Sequence, residues 1–304
     1  MVVFFMGKKV RLFLDSGAFS AWSKNAEIDI YEYIEFIQEN RDILHVYANL
    51  DCIGDPKQTW KNQKIMEREG LSPLPTYHYG EDEKWLIRYL NKGYDYIALG
   101  GMVPIGVSQL RLWLDHLFSK YLCDGNGYPI VKVHGFGLTS LPLIVRYPWY
   151  SVDSTSWVIT GRMGAIFVPL RRNDEWDYLN PIKIDVSTQS SKQNKINQHI
   201  KTIPSGLKKY VIEYIEEEGY VLGRSKLVNK SDGYELKENE RWIGKPDRKG
   251  SRLCERVIKP GVSNVYQYRD ELNVKYFLML EKQIPKYPWP FHITRDNDLL
   301  GFDL

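Results

Sequence analysis

The sequence predicts an α/β fold, a (β/α)8 barrel of the TIM type with a divergent C-terminal α+β extension. Six apolar runs in the first half end in polar or glycine clusters: LFLDSG, VYANLD, PTYHYG, IALGG, VKVHGFG and WYSVDS. Stretches with helical periodicity separate these runs, as in consecutive βα units. Three of the runs end on aspartates, Asp15, Asp51 and Asp153. In a barrel the carboxyl ends of the strands meet on one face, where catalytic groups lie.

The segments between the strands have helical signals. Ile30, Ile34 and Ile37 repeat at helical spacing, and Asp29 precedes them as a cap. Asp55 and Pro56 open a second helix, with proline at its favoured first position. Further helices are predicted over 82–90, 107–122 and 141–146.

Five or six βα units are present by Asp153, against the eight of a complete barrel. We therefore expect residues 1–170 to form the main part of the barrel. Residues 171–304 are expected to supply a hairpin, a basic loop and a helical region that complete it. An open doubly wound sheet is the alternative fold, but DSGAFSAW lacks the GxGxxG fingerprint expected after its first strand.

Beyond Asp153 the pattern changes. GAIFVPL resembles a strand, and RRNDEWDYLNPIKIDV reads as a β-hairpin with polar turn residues. The polar stretch 187–205 is predicted to be a linker or a mobile loop. Residues 207–218 and 271–283 again have helical periodicity. The segment 223–259 between them is polar and basic, with glycines that indicate turns.

Composition limits the class of protein. The formal net charge of +3 does not by itself indicate nucleic acid, and no stretch approaches a membrane span. Cys52, Cys123 and Cys254 are widely spaced, which argues for a reducing compartment and against a zinc site. The start, MVVFFMGKKV, is a poor signal peptide and is predicted to be a first strand. We expect a cytoplasmic protein with no metal, no cofactor and no membrane partner.

Each candidate catalytic aspartate is a weak signal alone. Asp15 in DSG is ordinary turn chemistry, and Asp153 could simply cap a helix. Together with Asp51 they are more informative, because carboxylates at converging strand ends repel one another unless they bind a substrate or share protons. Such a group could serve metal binding, glycoside-type chemistry or base exchange. Gly100 and Gly101 could bring backbone amides to a ligand near these aspartates. Hydrogen bonds and stacking rings could come from His78, Tyr79, His134 and Phe136.

Four segments resemble tRNA-guanine transglycosylases, in the order that family has them. LFLDSGAFS is similar to their T-D-S-G-G-F-Q motif, and IALGGMVP to their I-G-G-L-A-V-G segment. HGFGLTSLPLIVRYPWYSVDSTSW is similar to their G-[VI]-G-x-P…G-x-D-M-F-D stretch. VYANLDCIGDP matches the position of their base-recognising aspartate. The resemblance covers roughly residues 11–160, about half the chain.

The resemblance implies exchange of guanine in a polynucleotide for a 7-deazaguanine. It implies that Asp153 is the nucleophile that attacks C1′ of the sugar and that Asp15 transfers the proton. Asp51 matches the aspartate that reads the guanine edge, and Gly100 and Gly101 match the backbone that contacts the base. The remaining residues expected around the base are Ser16, His78, His134, Gly135 and Phe136. For either histidine alone, a structural imidazole is the simpler role.

Departures from the family favour DNA over tRNA. Cys254 stands alone in the C-terminal half, so the family zinc site of three cysteines and a histidine cannot be built. Ser20 replaces the family glutamine, and Thr155 and Ser156 lie near the replaced second aspartate. These changes resemble the DpdA-type DNA-guanine transglycosylases of phages and bacteria, and a phage enzyme would act in the host cytoplasm. The residues predicted to contact nucleic acid are Arg171, Arg172, Lys245, Arg248, Lys249 and Arg252.

Three alternatives stay open from sequence: a tRNA-guanine transglycosylase, a metal-dependent barrel hydrolase, and a non-catalytic relative that only binds nucleic acid. The lack of HxH and HExxH patterns counts against the hydrolase. A purely binding protein has no need of a nucleophile, which counts against the third.

Overall fold

The computed structural model describes residues 12–24, 26–138 and 140–293. They fall into two compact units. Unit 1 contains residues 12–154 together with 285–293, and unit 2 contains residues 155–284. The strand predicted for the first ten residues lies outside the described part of the chain.

Unit 1 alternates strands and helices, as the sequence predicts. Its elements are β1 (Leu12–Leu14), α1 (Ala18–Ser23), α2 (Ile30–Glu39), β2 (Leu44–Tyr47), α3 (Pro56–Arg68), β3 (Thr76–His78), α4 (Lys84–Asn91), β4 (Tyr96–Gly100), α5 (Val107–Leu117), β5 (Lys132–Gly135), α6 (Leu141–Arg146) and β6 (Ser151–Val152). A π-helical turn, Phe118–Leu122, extends α5. The mixed α/β class is therefore confirmed.

The strands of unit 1 are parallel and follow one another in chain order. β1 pairs with β2, and β3, β4, β5 and β6 form a four-stranded sheet in that order. A parallel bridge between Ala48 and Leu74 joins the end of β2 to the approach to β3. A doubly wound sheet reverses its strand order at a switch point, and the described strands show no such reversal. No closed barrel is found among them.

Local signals account for the helix starts. The Asp29 carboxylate accepts hydrogen bonds from the backbone N–H groups of Tyr31 and Glu32 at 2.8 and 3.0 Å, which confirms it as the cap of α2. Asp55 accepts from Gln58 N–H at 2.9 Å at the start of α3. The apolar faces of these two helices contribute Ile34, Ile37 and Met66 to one buried cluster.

Unit 2 is built differently. Its elements are α7 (Ser156–Met163), β7 (Ala165–Arg172), β8 (Glu175–Asp185), α8 (Ser205–Glu217), β9 (Arg224–Ser231), β10 (Glu240–Ile243), β11 (Ser251–Lys259) and α9 (Tyr266–Gln283). β7 and β8 form an antiparallel hairpin whose turn residues Asn173 and Asp174 have φ of 49° and 64°. The hairpin begins earlier than predicted, because its first strand is the GAIFVPL run that was expected to precede it. The polar region 223–259 is a three-stranded antiparallel sheet in the order β10-β11-β9.

The predicted basic loop over 223–259 is therefore wrong, and so is the linker predicted over 187–205. The stretch 187–205 is not a linker, because it is held in the core by Ile200 and Ile203, which are 3% and 6% exposed. His199 is fully buried and bridges Asp185 at the end of β8. The polar side chains of this stretch form hydrogen bonds with one another and with the backbone of its turns. Composition alone does not reveal such bonds.

Of the helices that the structure describes, none combines the length and apolar composition that a bilayer crossing requires.

Candidate functional site at the strand ends of unit 1

The predicted site residues of unit 1 lie at the carboxyl ends of its six strands. Asp15 and Ser16 follow β1, and Asp51 follows β2 after three residues. His78 ends β3, and Gly100 and Gly101 end or follow β4. Gly135 ends β5, His134 precedes it and Phe136 follows it, and Asp153 comes directly after β6. Parallel pairing places all of these at one edge of the sheet.

Asp51 is held by two neighbours. The Ser16 hydroxyl donates to Asp51 Oδ1 at 2.6 Å, and His78 Nε2 lies 2.8 Å from Asp51 Oδ2. Ser16 Oγ in turn accepts a hydrogen bond from Ala18 N–H at 3.1 Å. Because the serine contacts the carboxylate and not the imidazole, this group is not a Ser-His-Asp nucleophile. It orients a carboxylate.

His78 lies between two carboxylates. Its Nδ1 is 3.0 Å from Glu81 Oε1, and the Glu81 side chain also accepts from the backbone N–H of His78. Burial of the 3% exposed histidine lowers its pKa, but hydrogen bonds and charge attraction from Asp51 and Glu81 outweigh it and raise the pKa to about 9. His78 is therefore a cation at neutral pH, donating one N–H to each carboxylate.

Asp15, unlike His78, lies near charges of its own sign. Burial raises its pKa, and the nearby charges of Asp51 and Asp153 raise it further. Hydrogen bonds from the backbone N–H groups of Gly17 and Ser16 offset part of this effect. The residue keeps an accessible surface, so solvent reaches it. The pKa of Asp15 therefore lies above its ordinary value.

Asp153 is open to solvent. Its side chain is 45% exposed, and Oδ1 accepts the backbone N–H of Gly137 at 2.8 Å. His134 Nε2 lies 3.5 Å from the same oxygen, and this buried nitrogen has no hydrogen-bond partner among the described residues. The other ring nitrogen, Nδ1, contacts Ser151 Oγ at 2.6 Å. The Gly137 N–H thereby holds one carboxylate oxygen of an otherwise half-exposed side chain.

Aromatic rings surround His134. Phe13 of β1 stacks on it at 4.4 Å between centroids, and Phe136 meets it edge-on at 4.5 Å. Trp149 lies beside Gly135, where an added Cβ would come within 3.1 Å of its ring. His134, Gly135 and Phe136 therefore lie beside Asp153 at the carboxyl ends of β5 and β6.

Gly100 and Gly101 permit close packing against His78. A Cβ on Gly100 would lie 2.8 Å from His78 Cδ2 and 3.2 Å from Thr76 Cγ2. Gly101 has φ of +68°, a left-handed conformation that favours glycine. The segment is thus fixed in backbone shape beside the imidazole that orients Asp51.

The predicted nucleic-acid contacts all lie in unit 2. Arg171 forms ion pairs with Glu213 and Glu217 at 3.4 Å, and Arg172 pairs with Asp177 at 3.0 Å. Their charges are consequently neutralised locally. The other four lie in and beside the β10–β11 connection, where Arg252 donates to Gly244 O while Lys245, Arg248 and Lys249 are exposed.

Sequence reasoning missed four contributors: Glu81, Phe13, Gly137 and Ser151. The H-Y-G-E sequence at the end of β3 was a usable signal for Glu81, since a turn there returns the residue to the histidine three positions earlier. No local pattern identified Phe13, because its contact with His134 joins β1 to β5.

A cavity of about 320 Å³ lies near the amino ends of the strands, lined in part by Leu12, His45, Asp95 and Lys132, and it shares Phe13 and Ser151 with the surroundings of His134. It is at the opposite end of the sheet from the carboxylates. Among the described residues, no group of three or more His, Cys, Asp or Glu side chains is placed to hold a metal ion.

Comparison with known proteins adds no relative. No protein-family model matches this chain, and no curated protein or solved structure matches it.

Proposed function

We propose that this chain exchanges guanine in DNA for a 7-deazaguanine base through a covalent aspartyl-glycosyl intermediate. The observation that supports this most directly is the grouping of three carboxylates in three different environments at one sheet edge. Asp153 is accessible, the pKa of Asp15 is raised by burial and by neighbouring carboxylates, and Asp51 is clamped by a hydroxyl and an imidazolium. These are the separate tasks that base exchange requires.

In this scheme Asp153 attacks C1′ of the target nucleotide. The bond from C1′ to guanine N9 breaks as the bond from C1′ to the carboxylate oxygen forms, and guanine leaves with the bonding electrons. The incoming base then displaces the carboxylate from the same carbon, so the configuration is retained. The hydrogen bond from Gly137 N–H to Oδ1 orients Asp153 for both steps.

Asp15 supplies and recovers the proton. A carboxyl whose pKa is raised by burial and by neighbouring charge can donate a proton to the departing purine. Its ionised form then accepts the proton released by the incoming base. Covalent engagement of Asp153 removes one of the negative charges that raise the pKa of Asp15, which favours this second state.

Asp51 recognises the base edge. A carboxylate offers about four lone-pair positions, and Ser16 and His78 occupy one on each oxygen. The others can accept the N–H groups that guanine and 7-deazaguanine share on their Watson–Crick edge. Gly100 and Gly101 bring backbone close to the same region, and Phe136 offers a ring against the extruded base.

DNA is proposed as the polymer on the sequence departures and on the exposed cations of the β10–β11 connection. Lys245, Arg248 and Lys249 can contact phosphates without sequence readout. Cys254 is a buried free thiol, so the resemblance does not extend to a zinc site around it. We further propose that the parallel strands of unit 1 belong to a (β/α)8-type barrel.

The proposal is tested with Asp153→Ala. DNA and tRNA are each incubated with the full chain and a labelled 7-deazaguanine, digested to nucleosides and examined by mass spectrometry. Label should enter DNA with the native chain, and Asp153→Ala should lower incorporation by at least about 10³-fold because the covalent route is lost. Asp95→Ala is the matched control, since Asp95 is exposed at the amino end of β4.

Each alternative predicts a different result. Label in tRNA alone would indicate a tRNA enzyme, and activity abolished by chelation would indicate a metal-dependent hydrolase. Normal DNA binding with no exchange of any deazaguanine would indicate a binding protein. Undiminished incorporation by a folded Asp153→Ala chain would refute the assignment of the nucleophile.

A further inference from the structure

Unit 2 contains a cleft of about 450 Å³ whose walls include three arginines. Arg162 comes from the end of α7, Arg241 from β10 and Arg269 from α9. Their polar companions in the wall are Ser187, Gln189 and Ser191. A volume of this size is in the range of small-molecule sites.

Arg269 is a buried cation held by uncharged groups. It is 5% exposed, with Nε donating to Gly161 O at 2.6 Å and Nη1 donating to Val262 O at 2.7 Å. Burial and the nearby charge of Arg241 lower its pKa to about 10, so it remains protonated at neutral pH. Within the described ranges it forms no ion pair, and its Nη2 makes no hydrogen bond. A guanidinium buried in this way is costly unless an anion compensates it.

The other two arginines differ in how firmly they are held. Arg241 forms an ion pair with the buried Glu255 at 2.8 Å, and Thr188 and Gln189 donate to the same carboxylate. Arg162 is exposed and has no ion pair or hydrogen bond in the part of the chain that the structure describes. Arg241 is therefore held in place by its carboxylate partner, whereas the Arg162 side chain is exposed and makes no described polar contact.

Nearby carboxylates offset only part of the positive charge around this cleft. Glu255 forms its ion pair with Arg241. Asp185 accepts a hydrogen bond from the Ser190 hydroxyl and forms an ion pair with Lys192 at 3.4 Å. Asp270 attracts Arg162 and Arg269 without an ion pair to either, and burial raises its pKa. Counting Lys192 with the arginines, the cations outnumber these carboxylates.

We propose that this cleft is a phosphate-binding site. Guanidinium groups from three separate elements line the cleft, and their remaining N–H groups can donate to phosphate oxygens, as can the hydroxyls of Ser187 and Ser191. The chemistry fits a phosphate monoester of a nucleotide or a phosphodiester of a nucleic-acid strand. The site rests on unit 2 alone and does not depend on the base-exchange proposal.

The test uses Arg162→Gln in the full chain, because Arg162 supports no described contact. Binding of guanosine 5′-monophosphate is measured by calorimetry with guanosine as the phosphate-free probe, and binding of a labelled single-stranded DNA by anisotropy over a range of salt. Loss of one charged hydrogen-bonding group should weaken the affected ligand about 10-fold. For DNA, the slope of log affinity against log salt should also fall by about one.

Two further variants separate charge from folding. Arg224→Gln removes an exposed arginine of β9 outside the cleft and should leave nucleotide binding unchanged. Arg241→Lys keeps the charge beside Glu255 but removes the planar fork, and should weaken binding while the melting temperature stays near that of the native chain.

The two sources of phosphate give different outcomes. Weakened DNA binding in Arg162→Gln identifies a phosphodiester as the ligand, and weakened nucleotide binding alone identifies a free monoester. If guanosine binds as tightly as its monophosphate, and the folded Arg162→Gln and Arg241→Lys chains bind both probes as the native chain does, the inference is wrong. Since base exchange is assayed separately, its failure would not produce this result.

Discussion

At the scale of single residues, His78 is the group that links fold stability to the site. Its imidazolium neutralises one of two flanking carboxylates, Asp51 and Glu81, whose side chains are 11% and 6% exposed. Buried carboxylates without such a partner are strongly destabilising. The same proton therefore keeps Asp51 oriented and keeps this edge of the sheet folded.

This arrangement predicts a pH dependence of stability. The pKa of His78 is raised from 6.5 to about 9 on folding, so the folded state binds a proton that the unfolded state has lost between these values. The stabilisation is complete below pH 6.5 and disappears as the pH rises through 9. We expect the free energy of unfolding in urea to fall by about 3 kcal/mol over this window.

His78→Gln should remove most of that slope and lower stability at neutral pH. His116→Gln is the control, because His116 is an exposed histidine paired with Glu83 on the surface. An unchanged slope in His78→Gln would show that another group titrates.

Sequence reasoning predicted the positions of the three aspartates because strand periodicity determines which residues end a strand. It could not predict how they differ. That difference depends on Ser16 contacting Asp51, on Gly137 contacting Asp153, and on burial around Asp15. These contacts form only after separate βα units come together.

At the scale of elements, the end of β4 has little room beside β3. The Gly100 position faces His78 and Thr76 on the neighbouring strand, and all three residues are buried. Register explains this contact, since His78 pairs with Gly100 and Thr76 with Ala98. The glycine is thus a packing requirement of the site.

We predict that Gly100→Ala displaces the imidazole from Asp51. The added methyl would lie 2.8 Å from His78 Cδ2, and overpacking of this kind costs about 1 to 3 kcal/mol of unfolding free energy. The proposed base-exchange activity should fall by more than the stability loss explains, because Asp51 loses its orientation. Thermal melts and labelled-base incorporation measure the two effects.

Gly125→Ala provides the comparison for that substitution. Gly125 lies in the loop before β5, and a Cβ there meets nothing within 4 Å. Equal losses in the two variants would mean that alanine at residue 100 acts through general backbone effects and not through His78.

The helices and strands that the sequence predicts correctly are those with a clear periodicity of apolar residues. Helices α2, α3 and α8 present apolar stripes and were predicted to within a few residues. Strands β9 to β11 were missed, since β9 is exposed along most of its length and offers no apolar alternation. Polar strands of this kind are fixed by pairing with β11, which a single-residue pattern does not encode.

At the scale of the whole molecule, the chain leaves unit 1 at residue 154 and returns to it at 285. The returning segment places Phe291, 4% exposed, against Phe118 and Tyr147 of unit 1. Its backbone N–H donates to Gly127 O at 2.9 Å. Sequence reasoning did not predict this return, because nothing near residue 291 indicates which earlier segment it contacts.

Phe291→Ala is predicted to destabilise unit 1 by about 3 to 5 kcal/mol, the usual cost of emptying a buried phenylalanine site. Hydrogen exchange read out by mass spectrometry should show faster exchange around 118–127 and 147. Protection in β9 to β11 should persist, because those strands belong to unit 2. Uniform loss of protection in both units would contradict a local role for Phe291.

The return of residues 285–293 also affects the order in which the molecule is made. Domains usually fold as they leave the ribosome, N-terminal part first. Unit 1 cannot follow that order, since Phe291 is synthesised only after the whole of unit 2. Its aromatic cluster around Phe118 and Tyr147 therefore stays incompletely covered while some 130 further residues leave the ribosome. For the nascent chain, this makes the interval before residue 291 appears the period of greatest exposure to aggregation and to chaperone binding.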